Sequence, residues 1–335
     1  MKVFSIRAVG MMVVALLIPA SVQAGGIWDN GGGDGLWETP ANWNLDTLPG
    51  ATDDVGIPTP NVANLSSTQS VKGINSSGTL NILTGGNLTA GASHVQTGSS
   101  VFTLNVLGGS ITASRFFNNP TASTSVNSGM IITMTGGAIS FNDRFQFNSF
   151  AVDNDRNVVN LSGGTFGSAN FTLFGAYNGN RSQLNVTGST LAFNVAGITL
   201  APITSDPAIS TALTFTVAGT TLAERSTIAK LNTVGGLVLD QNPLTVDFSN
   251  YANAGTGSYS MTLIDYAGVL TLPSGTAFAA PNFIYGSSGV SGASLVLDAT
   301  NKLYRVDFSY AAIPEPATLG LLVIGGLMML PRRGR

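Results

Sequence analysis

Five segments of this 335-residue chain share one pattern: apolar residues at alternate positions, a glycine pair, and another apolar residue three places after the first glycine. They run from Asn81 to Leu88, Leu104 to Ile111, Ile132 to Ile139, Val159 to Phe166 and Leu184 to Leu191, and in the last Ser189 replaces the second glycine. Their first glycines are 23, 28, 27 and 25 residues apart. Alternation places the apolar groups on one face of a strand, and glycine lets the chain bend sharply beside it. The first copy departs from the others, with Asn81 four places before its glycine, where they have an apolar residue. A unit of this length cannot bury its own apolar face and must stack on its neighbours. The expected fold is all-β, a right-handed parallel β-solenoid in which each strand-corner-strand turn pairs with the next. Val106, Met134, Leu161 and Val186 should then stack in one inward column. The alternative is an antiparallel sandwich whose glycine pairs are hairpin turns.

The repeats occupy residues 61–210. Before them, residues 25–60 hold all three tryptophans, Trp28, Trp37 and Trp43, in a glycine-rich stretch that ends in Asp53-Asp54-Val55-Gly56-Ile57. An N-terminal cap over the first turn fits this segment, because an open turn exposes unpaired backbone. The other reading is an aromatic platform in which the three indoles contact sugar rings. Residues 211–310 read as a C-terminal β cap, with strands at Leu213 to Ala218, Leu237 to Leu239, Leu244 to Phe248, Met261 to Ile264, Leu295 to Leu297 and Leu303 to Phe308. Ala223 to Leu231 is the one helical candidate between the termini.

Both termini point to export. Lys2 and Arg7 precede an apolar run from Ala8 to Ile18, and Val22-Gln23-Ala24 obeys the small-residue rule of signal peptidase, so residues 1–24 read as a signal helix cleaved after Ala24. Residues 311–335 contain Pro314-Glu315-Pro316, an uncharged run from Ala317 to Leu330, and Arg332, Arg333 and Arg335. The 14-residue run spans about 21 Å as a helix, short of a ~30 Å hydrocarbon core. It suits a transient membrane helix whose arginines stay on the cytoplasmic side.

The tail's order of proline-glutamate-proline, short apolar helix and basic end resembles the PEP-CTERM sorting signal of Gram-negative bacteria. That resemblance implies that Pro314, Glu315 and Pro316 form the sorting motif and that Arg332, Arg333 and Arg335 form the cytoplasmic basic stop. It also implies processing by an exosortase, a membrane transpeptidase-like protease, after passage through the export machinery. The body would then be released or attached at the cell surface, often in an extracellular polymer matrix, where polysaccharide is a candidate partner. Gly35-Leu36-Trp37, Asn42-Trp43, Leu48-Pro49-Gly50 and the acidic pair resemble the opening segment of surface proteins with autotransporter-like β-strand repeats. The stretch from Gly255 to Tyr266 is similar to the β region that often precedes such tails.

Composition narrows the chemistry. There is no cysteine, so neither disulfides nor thiolate metal sites hold the chain together. Without the two terminal segments, nine basic groups face sixteen acidic ones, a net charge near −7 that makes nucleic acid an unlikely partner. No carboxylate lies between Asp54 and Asp143 or between Asp155 and Asp206, whereas a glycosidase needs two acids close together. Asp153-Asn154-Asp155-Arg156-Asn157 opens like a calcium loop, but Val158 and Gly164 stand where glycine and a carboxylate are needed. His94 is the sole histidine, with no acid near it in sequence. No catalytic, cofactor or metal site is therefore expected. The sequence reads as an exported, non-catalytic cell-surface or matrix protein; the alternative is a carbohydrate-binding or carbohydrate-active β-helix protein.

Overall fold

The computed structural model describes residues 25–311 except 98–100, 119–128, 148–155, 176–180, 202–211, 218–230, 234–236, 240–241, 253–254, 273–274 and 277. The expected signal helix with Ala24, the sorting tail and its helix, and the pair Asp153 and Asp155 lie outside the described residues. So does all but the end of the helical candidate, whose last residue, Leu231, opens a strand.

The chain begins with β1 (Gly25–Ile27), β2 (Asp54–Gly56), β3 (Val62–Leu65), β4 (Thr68–Val71), β5 (Gly73–Ser76), β6 (Thr79–Ile82) and β7 (Asn87–Thr97). Four long strands follow, β8 (Val101–Asn118), β9 (Gly129–Phe147), β10 (Arg156–Gly175) and β11 (Arg181–Ala201). Next come β12 (Ala212–Thr216), β13 (Leu231–Thr233), β14 (Leu237–Leu239), β15 (Leu244–Asp247) and β16 (Gly257–Tyr266). The last are β17 (Leu270–Thr271), β18 (Asn282–Ile284), β19 (Val290–Asp298) and β20 (Leu303–Tyr310). Among the described residues the only helix is the short 3-10 turn Pro40–Asn42, and no helix is long and apolar enough to cross a membrane.

These strands form an all-β solenoid with three columns, and every pairing along a column is parallel. The first column climbs from β1 and β2 through β5 and the later parts of β7 to β11, then β14 and β17. The second runs through β3, β6, the early parts of β8 to β11, β12, β15 and β18. The third contains β4, the start of β7, the middle of β8 to β11, β13 and β16. Parallel pairing of strands from successive turns excludes the antiparallel sandwich over this span. The columns also run beyond both ends of the glycine-pair repeat, down to Gly25 and up to Ile284.

Val106 pairs with Met134, Met134 with Leu161 and Leu161 with Val186, all buried, so the expected inward column is present. It continues below into Ile82 and Leu65 and above into Phe215 and Val246. The odd first repeat has a simple cause. Leu80 aligns with Leu104 and Ile82 with Val106, so Asn81 faces outward and the corner holds one more residue than the next.

That corner, between the second and third columns, is where the glycines stack. Gly85, Gly108, Gly137 and Gly164 have φ of 89°, 130°, 76° and 84°, values that L side chains rarely adopt. A Cβ on Gly137 would overlap the carbonyl oxygen of Gly109, and one on Gly164 that of Gly137. Along the third column and into the first, Phe116, Phe141, Phe145 and Phe166 are fully buried with ring centroids 5.2 to 6.2 Å apart. Tilted and edge-on ring pairs of this kind add to the burial of each ring.

The two ends differ. At the N-terminal end β1 lies on β2, Leu36 bridges to Asn64, and the segment around Trp43 pairs antiparallel with Trp28 across the outer edge of β1. At the other end β20 turns antiparallel onto β16 and is followed outward by β19, closing the third column. β17 and β18 end the first and second columns with one strand neighbour each.

Candidate functional site

At the N-terminal end Trp28, Trp37 and Trp43 have no exposed surface. Trp43 meets Trp28 and Trp37 edge-on at 5.2 and 4.7 Å, and its Nε1 donates to the Trp37 carbonyl at 2.9 Å. The Nε1 atoms of Trp28 and Trp37 are buried without a hydrogen-bond partner. None of the three rings has a free face for a sugar, so the aromatic-platform reading gives way to packing: the indoles plug the end of the core. Glycine-rich backbone around them permits this, since Gly26 lies against Trp43 and Pro49.

Acidic side chains hold the plug in place. Glu38 Oε1 accepts from the backbone N–H groups of Ser66 and Ser67, both at 2.7 Å, at the corner between β3 and β4. Partial burial works against the ionised carboxylate, but those backbone donors outweigh it and its pKa is lowered. Asp34 accepts from the Thr39 hydroxyl and the Asn42 amide at 2.6 Å each and from Leu36 N–H at 2.9 Å. These bonds, the Thr39 hydroxyl foremost, lower its pKa as well. Both carboxylates act as structural acceptors here.

Asp143 pairs with Arg115 on the first column, and His94 aligns with Arg115 there. Among the described residues no group of three metal-ligating side chains converges. The antiparallel sheet at the C-terminal end carries a shallow cleft of about 530 Å³, which sequence reasoning missed. Its polar floor is Ser258, Ser260, Ser294, Arg305 and Asp307. Arg305 lies 3.4 Å from Asp298 and 3.3 Å from Asp307, so its charge is already paired; Ser260 and Ser294 are the cross-strand neighbours of Asp307. Alternation of polar residues along β16 and β20 was the available signal.

The outward faces of the second and third columns are built differently. In the second, Asn64, Asn81, Asn105, Thr133, Asn160, Asn185, Thr214 and Thr245 lie in register one above the other. The amides bond along the column: Asn81 Nδ2 to Asn64 Oδ1 and Asn105 Nδ2 to Asn81 Oδ1 at 2.8 Å, and Asn185 Nδ2 to Asn160 Oδ1 at 2.7 Å. Much of the amide capacity is therefore used within the coil. Exposed Val62 and Leu107 lie beside this row, and exposed Leu36 bridges to its first member, Asn64. In the third column Ser70, Thr89, Thr112 and Ser140 share one outward row, and Thr68, Asn87, Ser110, Ala138 and Thr165 share the next. Neither face carries a charged residue from Val62 through Ser140. The ion pairs Lys72–Asp54 and Arg115–Asp143 lie on the first column and its entry.

The chain matches no protein-family model, no curated protein and no solved structure.

Proposed function

We propose that this is an exported, non-catalytic protein of the cell surface or extracellular matrix of a Gram-negative bacterium, whose coil serves as a rigid spacer and contact surface. The observation that carries the reading is the terminal order Pro314-Glu315-Pro316, uncharged run and Arg332-Arg333-Gly334-Arg335, opposite a signal-like N-terminus that ends at Ala24. In this reading the export machinery takes the chain across, the tail pauses in the membrane as a short helix, and an exosortase-type enzyme cuts on the outer side. The coil is right-handed, as crossovers between parallel strands almost always are. A body of stacked parallel turns with closed third column and plugged N-terminal end supports a structural role, since each turn is held by its neighbours and needs no disulfide.

Mass spectrometry of the exported protein from a producing cell tests the sorting step. The expected result is a mature N-terminus at Gly25 and no peptide containing Arg332 or Arg333. Recovery of the intact tail on surface protein refutes the reading.

A further inference from the structure

We infer that the charge-free band on the outward faces of the second and third columns between Val62 and Ser140 binds an extended, uncharged polysaccharide laid along the stack of turns. The inference rests on the surface-protein reading above and adds the class of partner. Three observations on the coil carry it.

The first is the placement of charge. A charged polymer would lie on a face whose own residues carry no charge from Val62 to Ser140, where the one carboxylate at its edge, Glu38, is held by the Ser66 and Ser67 N–H groups, and stripping water from an unpaired charge is costly. A neutral chain meets no such penalty. The second is the state of the hydroxyls. Ser70, Thr89, Thr112 and Ser140 stand in register on successive turns, and their hydroxyls have no protein partner among the described residues. Neighbouring strands are about 4.8 Å apart, close to the length of one pyranose unit, so a chain crossing the strands meets the same contact on turn after turn. The next row is already internally bonded, with Ser110 Oγ donating to Asn87 Oδ1 at 2.7 Å, which holds the face flat and leaves the first row free. The third is the interleaving of aliphatic surface. Leu36, Val62 and Leu107 are exposed by 40, 42 and 43% on the adjoining face, and the C–H faces of neutral sugars can cover such groups while their hydroxyls meet the serines and threonines. Each contact is weak, and their repetition along one rigid ladder supplies avidity.

The test is co-sedimentation of the full-length chain, held in mild detergent, with suspensions of cellulose, β-1,3-glucan and mannan, and with cross-linked alginate as the acidic control. T89K/S140K places two charges on the free hydroxyl row with Thr112 between them, and N75K places one on the exposed outward face of the first column. Circular dichroism and melting curves confirm that each variant keeps the coil. The expected result is depletion by at least one neutral polymer that resists salt, falls about tenfold in T89K/S140K, and is unchanged in N75K. No depletion by any neutral polymer overturns the inference, as does equal loss in both variants or salt-sensitive binding to alginate alone. A self-associated species in sedimentation velocity that T89K/S140K dissolves also overturns it, since the band would then join two copies of the chain. Tail processing is read separately, so a correctly processed surface protein that ignores neutral polymers refutes this inference and leaves the sorting proposal standing.

Discussion

At the corner between the second and third columns, successive turns approach so closely that a single methyl group decides whether they can stack. Gly137 combines φ of 76° with the carbonyl of Gly109 inside the space a Cβ would take. Gly275 has a similar φ of 80° but nothing within 4 Å, and Gly91 has only an ordinary contact of 3.7 Å to Val71 O. The three positions separate backbone strain from steric overlap. Gly275→Ala should cost about 1–2 kcal/mol, the left-handed penalty alone, while Gly91→Ala should stay within about 0.5 kcal/mol. Gly137→Ala should exceed the Gly275 value by about 2 kcal/mol or more, because two turns must move apart. Urea denaturation of the three variants checks the order, and equal losses at Gly137 and Gly275 would show that the corner has slack. The glycine pairs were legible in the sequence as bends. Their alignment on one corner was expected too, but not that one turn's carbonyl would fill the space of the next glycine's Cβ, which depends on how closely the turns approach.

At the scale of elements, the N-terminal plug depends on a few acceptors as much as on indole packing. Glu38 bridges the plug to the corner between β3 and β4 through two backbone N–H groups. Its pKa is lowered in the folded protein, so its contribution is fully present above the unfolded value, about 4.3 for glutamate, and is lost as pH falls through the folded one. The protection factors of the Ser66 and Ser67 amides, corrected for the intrinsic slowing of exchange in acid, should therefore fall as pH drops below the ordinary glutamate range, before the coil melts. Glu38→Gln keeps a neutral acceptor and should exchange faster at pH 7 with a flatter pH response; Asp34, shifted in the same direction, retains its own share. Superimposable pH profiles for the variant and the parent would remove Glu38 from this role. The three tryptophans in one glycine-rich stretch were enough to suggest a cap. Their burial edge-on against one another was beyond sequence reasoning, since it requires the chain to return from Trp28 to Trp43 across β1. Asn105, Asn160 and Asn185 hold the same place in three of the repeats, but that amides bond along the stack, as from Asn105 to Asn81 and from Asn185 to Asn160, appears only once the turns are superposed.

At the scale of the whole molecule, the coil resembles a one-dimensional stack in which each turn contacts only its neighbours, and its probes are unevenly distributed. All three tryptophans sit at the N-terminal end, so intrinsic fluorescence reports that end alone, whereas circular dichroism reports every strand. The C-terminal end has its own aromatic core, with Phe248 fully buried, 4.8 Å from Phe308 and 6.2 Å from the nearly parallel ring of Tyr285. The sequence showed short strands here without revealing that β12 to β18 extend the same three columns, because the glycine pairs that marked each turn have gone and the connections differ in length. Phe248→Ala should remove about 3–5 kcal/mol from this end, where, among the described residues, β17 and β18 pair with a strand on one side only. If stability is shared only between adjacent turns, the variant should lose part of its β signal at lower denaturant while its tryptophan transition stays where it was. Superimposed fluorescence and dichroism curves, both displaced, would instead mean that the coil melts as one cooperative unit, with the phenylalanine cluster at Phe116, Phe141, Phe145 and Phe166 tying its two ends together. The aligned columns and unequal ends favour the first outcome, because damage at β15 reaches Trp28 only through every intervening turn.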